Sequence, residues 1–259
     1  MRPRAPDRTA LEQVFRLKYG DPDRAGWGPR MRRAHGYYQP DDHYEALVSS
    51  LVVPGTRWLD VGCGRSLFPF NPRLSELLAS RAGRLAGVDP DPTLDENPYV
   101  SERVSSTIDE YDGGHGFDLV TMRMVAEHIE DPDRCVLALD KALAPGGLAV
   151  VYTVFSCSPV PLLTRLLPMR LRHRAKAFLW RTESKDTFPT RFRMNTRRRL
   201  RAQFARRGFE EALFLRLDDC RTLSRFRPLQ ALELWCRDLC RLLRLPYPEH
   251  CILAVYEKP

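Results

Sequence analysis

Residues Trp58-Leu59-Asp60-Val61-Gly62-Cys63-Gly64 constrain this chain more than any other stretch. Trp58, Leu59 and Val61 read as a short buried strand, and Gly62 and Gly64 force a tight turn at its end, beside the carboxylate of Asp60. Glycine carries no side chain, so a strand that closes in a Gly-x-Gly turn lets a ligand approach bare backbone. Such a turn belongs at the carboxyl edge of a parallel sheet.

The surrounding sequence supplies that sheet. From Thr56 onward apolar runs alternate with helical patterns. A strand over 57–61 is followed by a helix opened by Asn71-Pro72 and carrying Leu74, Leu77 and Leu78. A second strand over 84–88 ends at Asp89, and a short third strand is expected over 104–108. A fourth covers 117–122, Asp131-Pro132 opens the next helix, and Pro145-Gly146-Gly147 turns into a fifth strand over 148–154. Continuous apolar strands separated by helices argue for a parallel sheet covered on both faces. The rhythm then breaks over 155–200. It resumes with a helix ending near 208, a strand over 209–217, a helix over 229–245 and a closing edge strand over 251–256. Ahead of the sheet, one helix is expected over 9–19 and another from Pro40.

Composition narrows the class. At 259 residues and 43% hydrophobic the chain can bury one large core. No apolar run is long enough to span a bilayer, and the first residues lack the apolar stretch of a secretory signal. Seven scattered cysteines, with Cys236 and Cys240 spaced C-x3-C, match no zinc site and read as free thiols in a reducing cytoplasm. No metal is expected. The net charge of +8 rests almost wholly on arginine and raises a nucleic-acid partner as one reading.

Four segments, in order and in register, carry a family resemblance: Leu59-Asp60-Val61-Gly62-Cys63-Gly64; Gly87-Val88-Asp89-Pro90; Phe117 to Arg123 with Glu127-His128-Ile129; and Leu143 to Val151. Together they resemble the class I S-adenosylmethionine-dependent methyltransferases, in particular the small-molecule branch with the ubiquinone and menaquinone enzymes. The resemblance covers residues 56–153. It implies an α/β fold: a Rossmann-like, seven-stranded, mostly parallel sheet with helices on both faces and an inserted cap after strand five. The implied organisation is a helical lid over 1–44, a cofactor-binding core over 45–156, a substrate cap over 157–208, and strands and a helix over 209–259 that complete the sheet.

The same resemblance implies the site. Asp60 would help hold the cofactor's ammonium, and Gly62, Cys63 and Gly64 would present backbone to it. Asp89, followed by Pro90, would accept hydrogen bonds from both ribose hydroxyls, since a carboxylate offers two acceptor oxygens. Adenine would lie near Thr107 and Ile108, and Met122 and Arg123 would floor the pocket near the sulfonium. In the lid region, Tyr38 or Tyr44 would touch the cofactor. The pattern departs from the family at Ser66, where a third glycine is common, and at Ser105-Ser106-Thr107, where an acidic residue is common.

The implied reaction is in-line methyl transfer, with S-adenosylhomocysteine as product. The cofactor is already activated, so the protein mainly positions the partners and excludes water. An oxygen acceptor of high pKa would also need a base, and His128 and His43 are the candidates. The expected acceptor is a small molecule: a natural product, a saccharide or a quinone-like lipid. Residues 158–174 mix leucines with arginines. They either pack on the core with their arginines solvated, or meet an anionic membrane or a lipid-linked substrate. Thr121-Met122-Arg123-Met124 stands where base-amino methyltransferases carry an Asp/Asn-Pro-Pro-aromatic motif, which disfavours that nucleic-acid branch. A dinucleotide oxidoreductase is disfavoured by the missing third glycine. A non-catalytic binding protein on the same fold is disfavoured by the intact Asp60 and Asp89.

Overall fold

In the computed structural model, β1 (Arg57–Val61) forms the centre of the sheet, and its Trp58, Leu59 and Val61 are buried. Residues 3–156, 189–220, 224, 226–245 and 247–259 are described. β1 pairs in parallel with β2 (Arg84–Val88) on one side and with β4 (Phe117–Arg123) on the other. β3 (Glu102–Val104) flanks β2, and β5 (Leu143–Val154) flanks β4, both in parallel. β6 (Glu210–Asp218) and β7 (Glu249–Glu257) complete a seven-stranded sheet of order β3-β2-β1-β4-β5-β7-β6. The strand order reverses between β1 and β4, and in open α/β sheets ligands bind in the crevice at the carboxyl ends of such a pair.

β7 corrects an expectation. It is an interior strand, antiparallel to both β5 and β6, and β6 is the edge. Residues 251–256 are buried throughout because both backbone edges are paired and both faces covered. The third strand lies over 102–104, earlier than expected, and residues 108–110 form a 3-10 turn instead.

Helices cover both faces. On one face α1 (Arg8–Tyr19), α3 (Pro40–Leu51) and α4 (Pro72–Arg81) pack Phe15, Leu47 and Leu74 against Trp58, Leu119 and Leu253. On the other, α5 (Pro132–Ala142) and α6 (Arg197–Ala205) pack Leu139, Leu200 and Phe204 against Leu59, Val120 and Ala254. The residues around 197–205, expected within the cap, thus form a helix that covers the sheet. The rest of the expected cap, 157–188, lies outside the described residues. Two further helices, α2 (Trp27–Ala34) and α7 (Arg227–Leu242), sit beside each other, with Leu234 of α7 against Tyr37 and Cys220. α2 is not foreseen by the sequence pattern.

Local chemistry explains the helix starts. Asp7, Asn71, Asp131 and Thr196 accept backbone N–H groups in the first turns of α1, α4, α5 and α6. α3 begins with Pro40, and the Asp42 carboxylate reaches back to the Gln39 N–H at 2.8 Å. A buried charge cluster then joins α1 to α3: Lys18 Nζ donates to Asp42 at 2.8 Å and to Glu45 at 2.9 Å. Asn71 at the start of α4 donates to the other oxygen of Glu45 at 2.9 Å. The three helices that cover this face are therefore fixed to one another beside the crevice.

Candidate functional site

The crevice is built around Asp60. Asp60 and Thr121 are partners in the β1–β4 register and point to the same face. The Thr121 hydroxyl donates to Asp60 Oδ1 at 2.5 Å and accepts from Trp58 Nε1 at 2.7 Å. All three side chains are buried. Burial pushes the Asp60 carboxyl up to about 7, against the Thr121 hydrogen bond and the charge of Arg123. Arg123 does not neutralise Asp60, because its guanidinium is paired with Asp41 of α3 at 2.7 Å. Asp60 is thus a buried acid short of a cation.

Tyr44, also on α3, completes this wall. Its ring stacks on Tyr152 of β5, with centroids 5.2 Å apart. Its hydroxyl lies by Thr121 and Asp60, fully buried and without a hydrogen-bond partner among the described residues. The Thr121 oxygen, which donates to Asp60 and accepts from Trp58, keeps one lone pair on this side. A buried hydroxyl left open beside an acid short of a cation is a place for a polar ligand.

The glycine turn is shaped by two different demands. Gly62 has φ +71°, and a Cβ there would stand 2.2 Å from Val125 Cγ2 in the loop after β4. Its bareness serves that loop contact. Gly64 has φ +42° and open space around it, the nearest atoms being Asp89 Oδ2 and Thr93 Oγ1 at 3.9 Å. Gly64 is therefore the position where a ligand can come close, its own N–H and C=O being held by Asp89 and Asn97. Asp89 steadies it: one carboxylate oxygen accepts from the Gly64 N–H and the other from the Asp91 N–H, both at 2.8 Å. Each oxygen keeps a second lone pair for a further donor. Asn97, fully buried, clamps the turn from the far side by donating to Gly64 O at 3.0 Å.

The other expected contacts divide. Cys63 is buried under Gly87, whose absent Cβ would stand 2.6 Å from Sγ, and burial pushes its thiol pKa up. It packs, and offers only backbone to the crevice. Pro90 is exposed after Asp89. The Thr107 hydroxyl is buried without a partner among the described residues, whereas Ile108 belongs to the second core. Met122 is a correction. Its side chain lies in that second core with Leu59 and Val61, because neighbours on a strand face opposite ways and Arg123 takes the crevice side. Tyr38 is a second correction. Its hydroxyl donates to Glu12 of α1 at 3.1 Å, and Tyr44 is the tyrosine that reaches Asp60.

The two histidines are not brought together. His43 lies on the α7 side of α3, where it feels the charges of Asp218 and Arg237, and burial lowers its pKa. His128 follows β4, with Nδ1 3.3 Å from the Pro189 carbonyl. Beside it lies a buried relay that the sequence did not reveal. Asn195 donates to Thr153 Oγ1 at 2.7 Å, and Thr153 donates to Glu127 at 2.7 Å. The Glu127 carbonyl also accepts the N–H groups of Arg191 and Phe192, at 2.7 and 3.1 Å. The loop after β4 and the segment before α6 are thereby joined.

Residues 30–212 match the family model described as a methyltransferase domain. The chain belongs to the methyltransferase domain family. The fold agrees with solved members of this architecture. A putative sarcosine dimethylglycine methyltransferase from Galdieria sulphuraria aligns with a TM-score of 0.53 at 10% identity, over 96% of this chain and 98% of that one. The cyclopropane synthase MmaA2 from Mycobacterium tuberculosis aligns with a TM-score of 0.51 at 15% identity, over 94% and 98%. Among curated proteins, a ubiquinone biosynthesis O-methyltransferase of Xanthomonas campestris pv. campestris (strain B100) is 31% identical over 147 residues, 49% of this chain and 58% of its own length. This chain therefore spans just over half the length of the curated relatives it matches. Its matched residues include Asp60, Asp89, Thr121 and the whole glycine turn.

Proposed function

We propose that this chain binds S-adenosylmethionine and transfers its methyl group to an oxygen or carbon of a small molecule. The observation that carries the proposal is the buried Asp60 carboxyl, hydrogen-bonded to Thr121 and faced by the unpartnered Tyr44 hydroxyl at the strand-order reversal. An ammonium would supply the missing cation, and the amino-acid end of the cofactor carries one. Gly64 would leave room alongside, Asp89 would accept from the ribose hydroxyls, and Thr107 would face the adenine. Bound there, the cofactor would supply an activated methyl group.

The chain's own contribution is position and exclusion of water. Tyr44 and Tyr152 wall the crevice with stacked rings, and Arg123 stays paired to Asp41 of the covering helix. His128 follows β4, where an acceptor hydroxyl would stand, and is the better placed of the two histidines to take its proton. His43 faces α7 instead. The name of the curated relatives supports a quinone-like or otherwise lipid-linked acceptor. The buried thiols of Cys63, Cys135, Cys220 and Cys251 support a reducing cytoplasm as the place of action.

Calorimetry with S-adenosylhomocysteine tests the reading. Micromolar-range binding is expected for the wild type, and Asp89→Ala should weaken it at least about tenfold, the equivalent of ~1.4 kcal/mol or more. No binding by the wild type, or equal affinity in both proteins, refutes the assignment.

A further inference from the structure

Helix α7 is amphipathic in the reverse of the usual sense. The residues it turns toward the protein are largely polar: Gln230 and Arg237 are buried, Arg237 pairs with Asp218, and Asp238 accepts from His35 Nδ1 at 2.6 Å. Leu234 is its one fully buried leucine. Facing away from the protein, Leu229, Leu232, Trp235, Leu239, Leu242 and Leu243 form a continuous apolar stripe at helical spacing. Their exposure is high: 52% for Leu232, 57% for Trp235 and 79% for Leu242. From Leu229 to Leu243 the stripe runs for about 21 Å along the helix axis. A patch of that length on a water-soluble surface marks a binding face.

The charges around the stripe identify the occupant. Arg227 stands at its start, resting over the Trp27 ring, and Arg241 and Arg244 stand exposed at its end. Of the two acids on the helix, Glu233 is directed toward Cys220 and Tyr247, and Asp238 is held by His35. No acidic side chain lies on the apolar face itself. A second copy of the helix would bring arginine against arginine at the ends, whether the pair ran parallel or antiparallel. Anionic headgroups would complement both ends at once, while the leucines and the tryptophan enter the acyl boundary. We infer that α7 is an interfacial helix that seats the protein on an anionic phospholipid bilayer. The inference does not depend on the identity of the methyl acceptor.

The link to the crevice is short. Asp218 pairs with Arg237 of α7, and both act on His43 of α3, the helix that presents Tyr44 and Asp41 to the site. A bilayer under α7 would therefore lie against the helical layer that covers the crevice, which suits an acceptor drawn from a membrane.

The test is co-sedimentation of the full chain with vesicles of phosphatidylcholine, with and without phosphatidylglycerol, together with tryptophan emission. The wild type should bind the anionic vesicles, shift its emission to the blue, and release at high salt. Leu232→Ser with Leu239→Ser should lower the partition coefficient at least about tenfold, because apolar area is withdrawn from the bilayer. Trp235→Phe should remove the emission shift. Affinity for S-adenosylhomocysteine should be unchanged in these variants, which separates loss of docking from loss of fold. The proposal is overturned by equal vesicle binding in the double variant, or by no binding to anionic vesicles at low salt. It is equally overturned if Trp235 in the free protein is shielded from an aqueous quencher, or if the chain is a dimer that the double variant dissociates.

Discussion

The Thr121 hydroxyl donates to the Asp60 carboxylate at 2.5 Å across two neighbouring parallel strands, while Arg123, the cation whose charge reaches that acid, is paired with Asp41. The pair makes the crevice both polar and electrostatically incomplete, and its titration should be visible in ligand binding.

Asp60 ordinarily titrates near 3.8 and is raised to about 7 in the fold by burial. Its contribution to stability is therefore fully present below the unfolded value and is lost as pH climbs through the folded one. A bound ammonium would favour the ionised form. Affinity for S-adenosylhomocysteine should rise with pH up to about 7, with a slope approaching tenfold per unit, and level off above. Asp60→Asn should flatten that slope. Titrations in two buffers of different ionisation heat should show proton release near pH 6 for the wild type alone.

Tyr44→Phe should hardly change the stability of the free protein, by less than about 1 kcal/mol, because the hydroxyl it removes has no hydrogen-bond partner among the described residues. The same change should weaken S-adenosylhomocysteine binding about fivefold, or ~1 kcal/mol. Thermal melts with and without ligand measure both. An unchanged ligand-induced shift would remove Tyr44 from the site.

The two glycines of the turn should respond differently to a methyl group. Gly62→Ala combines a left-handed backbone with a 2.2 Å clash against Val125, and should cost more than about 2 kcal/mol in urea unfolding. Gly64→Ala meets nothing nearer than 3.9 Å and should cost about 1 kcal/mol of strain, with its larger effect on ligand affinity.

Lys18→Met should destabilise the protein by about 3–5 kcal/mol, since it strands Asp42 and Glu45 as unpaired buried acids. Burial opposes the charge on Lys18, but its two partners raise its pKa overall. Acidification should narrow the gap between variant and wild type by protonating the carboxylates, as denaturation at two pH values would show.

The sheet was legible because its chemistry is local. Apolar runs ending in Gly62 or Asp89, with Asn71-Pro72 and Asp131-Pro132 at the helix starts, state the alternation directly. The place of β7 was not legible, because strand order depends on distant pairings and residues 251–256 read alike at an edge or inside. Tyr38 and Tyr44 differ only in which helix face and loop carry them, and that is settled by the packing of α3 on α1. Met122 could have been excluded from the crevice by alternation alone, once Arg123 was assigned to it. Thr121 carries a signal in the sequence, a hydroxyl inside an apolar strand, but its register with Asp60 is visible only in the sheet. Asn97 and Asn195 lie in irregular segments, where no period announces a buried clamp.

The position of β7 sets the order in which the molecule can be completed. β5 and β6 never touch along the sheet; both wait for residues 249–257 to come between them. Until that segment arrives, the outer edge of β5 and both edges of β6 are unpaired, each a template for wrong pairing. Loss of those few residues would thus unseal the sheet along its whole length, beside a crevice they never enter.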